Sequence, residues 1–234
     1  MRIPIFPLGT LLVPGLVMPL HIFEPRYIAL ITMLLERPDA QDREFGLSTL
    51  RPGSQVEHNG RDALFPVGTL ARVTEVESMP DGRLNILTVG TRRYRHVDID
   101  TAEPLAYAQV ELLDDPLGDL TPADATALTR AFARYRGILA EILGIDVSAA
   151  HELDGSITTE LFDESLPDDP ALLSHLVTAA AILPLHERAA LLARPDVATR
   201  VRYATELLRR ECAVIPRLPS LPAVDAGTVG RDGN

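Results

Sequence analysis

A chain of 234 residues, 46% apolar and 24% charged, has enough apolar material for one large or two small cores and too little charge to stay disordered. Its net charge is −11, and all 22 of its basic residues are arginine. Lysine is absent, which excludes every chemistry that needs a primary amine, among them a phosphate-binding Walker loop, a serine–lysine dyad and a pyridoxal Schiff base.

The charge is uneven. Up to Val110, 11 arginines stand against 13 acids; beyond it, 11 stand against 20. An acidic second half repels phosphate backbones and anionic lipid, so nucleic acid and membrane surfaces are poor partners. The single cysteine, Cys212, excludes an intrachain disulfide and a thiolate cage, and its apolar helical setting predicts a buried, inert thiol. Pro4, Pro7, Pro14 and Pro19 interrupt the amino-terminal apolar stretch, so neither a signal peptide nor a membrane span is expected, and the chain is placed in the cytoplasm.

Short apolar or alternating runs broken by Pro and Gly predict strands at 3–8, 16–22, 45–50, 68–79, 84–89, 92–99 and 106–113. Pro80-Asp81-Gly82 predicts a hairpin turn, with Pro presetting the first corner and Gly supplying positive φ. One helix interrupts the strands at 24–37, its apolar face formed by Tyr27, Ile28, Ile31, Leu34 and Leu35, with Pro25 in the first turn and Pro38 as the stop. After Asp115 the period becomes helical. Thr121 is the expected N-cap of a helix through Leu128, Phe132, Tyr135, Leu139 and Leu143, with Asp124 set against the dipole and Gly144 as the stop. An acidic stretch with a short helix around Glu160 follows, then helices at 170–183, 186–193 and 196–214. The expected fold class is α+β: residues 1–115 a mainly antiparallel barrel with one inserted helix, residues 116–214 a helical bundle, and residues 215–234 a disordered tail.

Catalytic signatures are missing. There is no Gly-x-Ser-x-Gly elbow, no His-Glu-x-x-His and no glycine-rich strand-to-helix turn, and the six histidines lack ligand-type spacing, so no cofactor and no metal is expected. Asp98 and Asp100 share a strand face on which a metal or an acid/base pair could sit, although such a pair is more often a solvated face. Asp114-Asp115 is a second carboxylate pair; Asp168-Asp169 before Pro170 reads as a helix start. Arg92-Arg93-Tyr94-Arg95 offers an anion or RNA site, but strand alternation puts only Arg93 and Arg95 on one face.

Specific residues carry a family likeness. Ile5-Phe6-Pro7-Leu8, Val13-Pro14-Gly15, and Met18 through Tyr27 in the order Met-Pro-Leu-His-Ile-Phe-Glu-Pro-Arg-Tyr resemble the opening of the Lon protease N-terminal substrate-binding domain. Gly68-Thr69-Leu70-Ala71, the Pro80-Asp81-Gly82-Arg83 turn and Val89-Gly90-Thr91-Arg92-Arg93-Tyr94 are similar to its second block, and Leu183-Pro184, Glu187-Arg188 and Leu191-Leu192 to its helical part. The resemblance implies a PUA-like β-barrel followed by a helical bundle. It also implies a free-standing, non-catalytic module that binds unfolded or extended protein segments, an adaptor in protein quality control with a protease or chaperone as partner. It brings neither the ATPase nor the peptidase of the full-length family members. Small-molecule or RNA binding by a PUA-like barrel, and a metal-dependent enzyme using Asp98 and Asp100, are the alternatives. Within the opening block, His21, Phe23, Glu24, Arg26 and Tyr27 form a binding or structural motif. Read structurally, Ile22 and Phe23 staple strand to helix, Glu24 caps, Arg26 pairs with a carboxylate and Tyr27 packs.

Overall fold

All six strands precede the long run of helices that follows Asp115, as the change of period there predicts, with two helices set among the strands. The computed structural model describes residues 1–102, 104–143 and 166–215. In order it forms β1 (Arg2–Leu8), β2 (Val17–Ile22), α1 (Pro25–Leu35), β3 (Glu44–Thr49), α2 (Val56–Asn59), β4 (Val67–Ser78), β5 (Leu84–Asp100) and β6 (Tyr107–Leu113). Then come α3 (Pro122–Leu143), α4 (Pro170–Ala180), α5 (Leu185–Leu192) and α6 (Val197–Val214). The short α2 has no counterpart in the sequence reading. The expected helix around Glu160 and the expected tail beyond residue 215 lie outside the described residues.

The six strands make one sheet in the order β2-β5-β4-β3-β1-β6, and β6 pairs back onto β5. The pairing therefore runs in a closed circuit through β5, β4, β3, β1 and β6, with β2 attached outside it. The sheet is mixed rather than antiparallel, because β1 and β3 run parallel. The chain between them passes through β2 and α1, long enough to return a strand to the same end of the sheet. β1 tolerates Pro4 and Pro7 because it divides its partners: Arg2 to Pro4 pair with β6, and Ile5 to Leu8 with β3. At each proline one side of the ladder is open, and no N–H is missed.

The strands expected at 84–89 and 92–99 are one strand, β5. Gly90 does not break it; it lets the 9–16 loop cross over it. A Cβ on Gly90 would lie 2.1 Å from the Val13 carbonyl oxygen. The loop instead bonds to the bare backbone, Gly15 N–H to Gly90 O at 2.8 Å and Gly90 N–H to Leu16 O at 2.9 Å. Irregularities in register opposite β4 and β6 bend β5, so its first half serves β2 and its second half β6. The β4–β5 turn forms as expected, with Gly82 at φ 83°.

A buried polar chain threads the sheet. His96 Nδ1–H donates to Pro66 O at 3.2 Å, which leaves Nε2 to accept from Ser48 Oγ at 2.9 Å. Tyr94 then donates to Ser48 Oγ at 2.8 Å. Burial holds the Tyr94 phenol well above its usual range and pushes His96 below its own, so both stay neutral. Gly46 and Gly68 are bare where the Tyr94 ring lies against them.

Among the helices, Thr121 and Asp124 bond reciprocally at the start of α3, the side chains of Asp169 and Asp196 cap α4 and α6, and Cys212 is buried. α4 stops at Ala180, short of Leu183. Ala181 is extended, and the Ile182 N–H bonds to the Tyr135 hydroxyl at 2.8 Å instead of continuing the helix.

Sheet and helices meet along an apolar seam, Leu11, Val13, Phe65 and Val67 against Ala189 and Leu192, pinned by one polar cluster. Asp115 accepts from Arg200 through both oxygens at 2.8 and 2.7 Å, from Arg93 at 3.0 Å and from His175 Nε2 at 3.1 Å. Arg93 also donates to Leu192 O at 2.7 Å and Arg194 O at 2.6 Å, where the negative end of α5 offsets its charge. Desolvation opposes ionisation of Asp115, but its bonds to His175 and Arg200 outweigh it and hold the carboxyl far below the usual range. Burial pushes His175 down against the pull of Asp115, keeping it neutral.

Replacing Asp115 by Asn leaves Arg93 and Arg200 buried without a counter-charge, and urea unfolding is expected to show a loss of about 3 kcal/mol. A group whose folded pKa lies below its unfolded value contributes stability that fades as pH falls. The urea midpoint should therefore drop from about pH 6.5 downward through His175 and buried His96, and drop again in the carboxylate range through Asp115. His175→Gln should flatten part of the first decline; a midpoint that rises on acidification would contradict the assignment.

Candidate functional site

β2 is the strand with an open edge: it pairs with β5 and lies at the end of the sheet order. Its side chains alternate. Met18, Leu20 and Ile22 turn toward the core that α1 covers, while Val17, Pro19 and His21 are exposed. Register sets Val17 beside Val89, Pro19 beside Leu87 and His21 beside Asn85, with Glu75 and Glu77 of β4 next in line. Pro19, His21, Leu87, Asn85, Glu75 and Glu77 line a shallow hollow on the outer face of β2, β5 and β4. Val17 is 51% exposed and Phe23, just beyond the strand, 62%.

The opening block thus divides. Ile22 and Tyr27 are buried, and Tyr27 stacks on Phe6 with centroids 3.9 Å apart. Arg26 bonds to Glu24 at 2.9 Å and to the Pro104 carbonyl at 3.0 Å. Glu24 occupies the N-cap position of α1, but its side chain makes no capping bond, because Arg26 holds it. Phe23 is no staple: its ring stands in solvent 6.2 Å from the His21 ring. His21 bonds to Asn85 Oδ1 through Nδ1 at 2.8 Å and meets Arg83 Nη1 through Nε2 at 3.2 Å. Arg83 is tied in turn to Asp81 at 2.6 Å, and that contact holds the Asp81 carboxyl below its ordinary value. A polar row through Asp81, Arg83, His21, Asn85 and Glu77 therefore lies between the exposed Phe23 and the apolar run of Val17, Pro19, Leu87 and Val89.

Other candidate groups disperse. The three arginines around Tyr94 each meet a carboxylate, Arg92 to Asp114 at 3.5 Å, Arg93 to Asp115 and Arg95 to Glu111 at 3.1 Å, and Tyr94 turns into the core. Asp98 and Asp100 follow a register irregularity, and Asp100 is held by Arg2 at 3.2 Å and the Ala102 N–H at 3.1 Å. Among the described residues no three metal-ligating side chains converge, and no helix is long and apolar enough to cross a membrane. Ser48 and His96 are within bonding distance, but Ser48 is fully buried and presents no nucleophile to solvent. Leu87 escapes a motif search, and Val89 enters one only as the start of the second block; what brings both to this face is the odd-position alternation of β2 carried across to β5 by register.

Residues 2–210 match the model of the substrate-binding domain of ATP-dependent protease La (Lon). The chain belongs to this Lon substrate-binding domain family. It is 30% identical over 221 residues to Lon protease 1 of Herpetosiphon aurantiacus, covering 92% of this chain and 25% of that protein. To Lon protease of Escherichia coli K12 it is 25% identical over 212 residues, covering 90% and 25%. The chain thus spans about a quarter of the length of these curated relatives. The fold is shared with a Lon N-terminal domain protein from Xanthomonas campestris, at 21% identity and TM-score 0.59, covering 89% of this chain and 98% of that one. It is shared too with the N-terminal domain of Mycobacterium avium complex Lon protease, at 17% identity and TM-score 0.56 with the same coverage. The opening block that carries the family likeness is thus the block that closes α1 against the sheet and leaves Phe23 outside.

That division can be measured. Tyr27→Ala removes a buried ring and should cost about 3 to 5 kcal/mol in urea unfolding, whereas Phe23→Ser should stay within about 0.5 kcal/mol of the parent.

Proposed function

We propose that this chain is a non-catalytic recognition module that binds exposed, extended segments of unfolded proteins on the outer face of β2, β5 and β4. The observation that carries this reading is an open strand edge with an apolar run beside it and an exposed aromatic, Phe23, just past the strand's end, in a Lon-family substrate-binding fold. An open edge offers unpaired N–H and C=O groups to any extended backbone, so it reads conformation rather than sequence. The patch of Val17, Pro19, Leu87 and Val89 then adds apolar contact, and the glutamates at its rim keep it from collapsing onto another copy.

In this reading the closed strand circuit is a PUA-like barrel over residues 1–115, residues 116–214 are the helical bundle, and the module works in the cytoplasm as an adaptor delivering segments to a protease or chaperone. The dispersal of Arg92, Arg93 and Arg95 onto carboxylates favours protein over RNA. The capture of Asp100 by Arg2 favours binding over metal chemistry at Asp98 and Asp100.

Titration of a reduced, unfolded model protein and of its folded counterpart tests the reading. The unfolded form is expected to bind and the folded form not, with little salt dependence. Val17→Ser with Phe23→Ser should weaken binding by about tenfold or more while stability holds. Equal binding of both forms, or none, would overturn it.

A further inference from the structure

Among the described residues, arginine pairing fails at one cluster. Of the described arginines, Arg130, Arg134 and Arg209 alone make no hydrogen bond, ion pair or ring contact with other described residues. All three line one groove on the outside of α3 and α6, above a floor that includes Ala123, Ala127 and Ala131. Their neighbours are matched with care. On α6, Arg202 meets Asp119 and Asp124 at 2.9 and 3.1 Å, and Arg210 meets Glu187 and Glu211 at 2.6 and 2.7 Å. Arg130 and Arg134 are one helical turn apart, a like-charge spacing that costs the helix stability. On a chain of net charge −11, carboxylates to satisfy them are abundant, yet α3 carries none between Asp124 and Glu141.

We infer that this groove is a docking site for an acidic segment of a partner protein, separate from the β2 face and independent of its function. Charge complementarity sets the occupant. Three guanidinium forks suit carboxylates, which they can grip bidentately, and the alanine floor accepts the aliphatic side chains between them. A phosphodiester strand fits less well. The cationic stretch is short, the carboxylates of Asp119 and Asp124 stand at its α3 N-terminal end, and no aromatic ring lines the groove to stack a base.

The probe is a short labelled peptide alternating glutamate with leucine, titrated into the full chain beside its glutamine counterpart and a single-stranded oligonucleotide, at low and high salt. The glutamate peptide is expected to bind about tenfold or more tightly than the glutamine one and to weaken with salt. Changing all three residues together, Arg130→Gln, Arg134→Gln and Arg209→Gln, should weaken it by about tenfold and leave the capture of unfolded protein unchanged. Phe23→Ser should do the reverse, so the two surfaces fail or stand separately. Equal affinity for both peptides, no binding, an unaffected triple variant whose circular dichroism matches the parent, or tighter binding of the oligonucleotide would each overturn the assignment.

Discussion

Two buried guanidiniums, Arg93 from β5 and Arg200 from α6, converge on the carboxylate of Asp115, which sits where the sheet hands the chain to the helices. Either arginine alone in that seam would be a desolvated charge; most of the cluster's polar atoms are bonded, although Arg93 Nε and His175 Nδ1 are buried without a hydrogen-bond partner among the described residues. Arg200 reaches Ser174 at 2.7 Å, His175 donates to the same carboxylate, and Arg93 closes the end of α5. Because the geometry is fixed at so many atoms, sheet and helices have one way to meet. The apolar seam of Leu11, Val13, Phe65 and Leu192 then packs around that solution.

The same constraint decides which surfaces stay free. The helices cover the second half of β5 through Arg93, and α1 covers the inner side of β2 and the first half of β5 through Leu30, Ile31 and Leu34. What remains is the outer side of β2, β5 and β4, with an open edge and an exposed Phe23. The 9–16 loop anchors β2 there by crossing β5 at Gly90, so the edge is presented by a rigid ladder rather than by a loose terminus. A module of this kind holds an apolar surface in water without folding over it.

Much of this was legible in the chain. The change from alternating to helical period at Asp115, the Thr121 cap and the Pro80-Asp81-Gly82 turn are local events, and local sequence determines them. The merger of two expected strands into β5 was not legible, because Gly90 looks like a breaker until the loop that needs its bare backbone is placed upon it. The parallel pairing of β1 with β3 was hidden for the same reason: it joins segments separated by a strand and a helix. At the candidate site, Tyr27 could be read as a packing residue from the helical spacing of α1. Phe23 could not be assigned to the surface, since an apolar residue ahead of a helix ordinarily staples inward. The Asp115 cluster draws on residues up to 85 positions from Asp115, and nothing in the spacing of Arg93, Asp115, His175 and Arg200 announces it.

The most direct test of a rigid carrier with one exposed recognition edge is amide hydrogen exchange, recorded on the free chain and on the chain saturated with a reduced, unfolded protein. Slowed exchange should concentrate in residues 17–24 and 84–89, with the seam between sheet and helices equally protected in both states. Protection that appears only in the helices, or a seam that loosens when the unfolded protein binds, would contradict it.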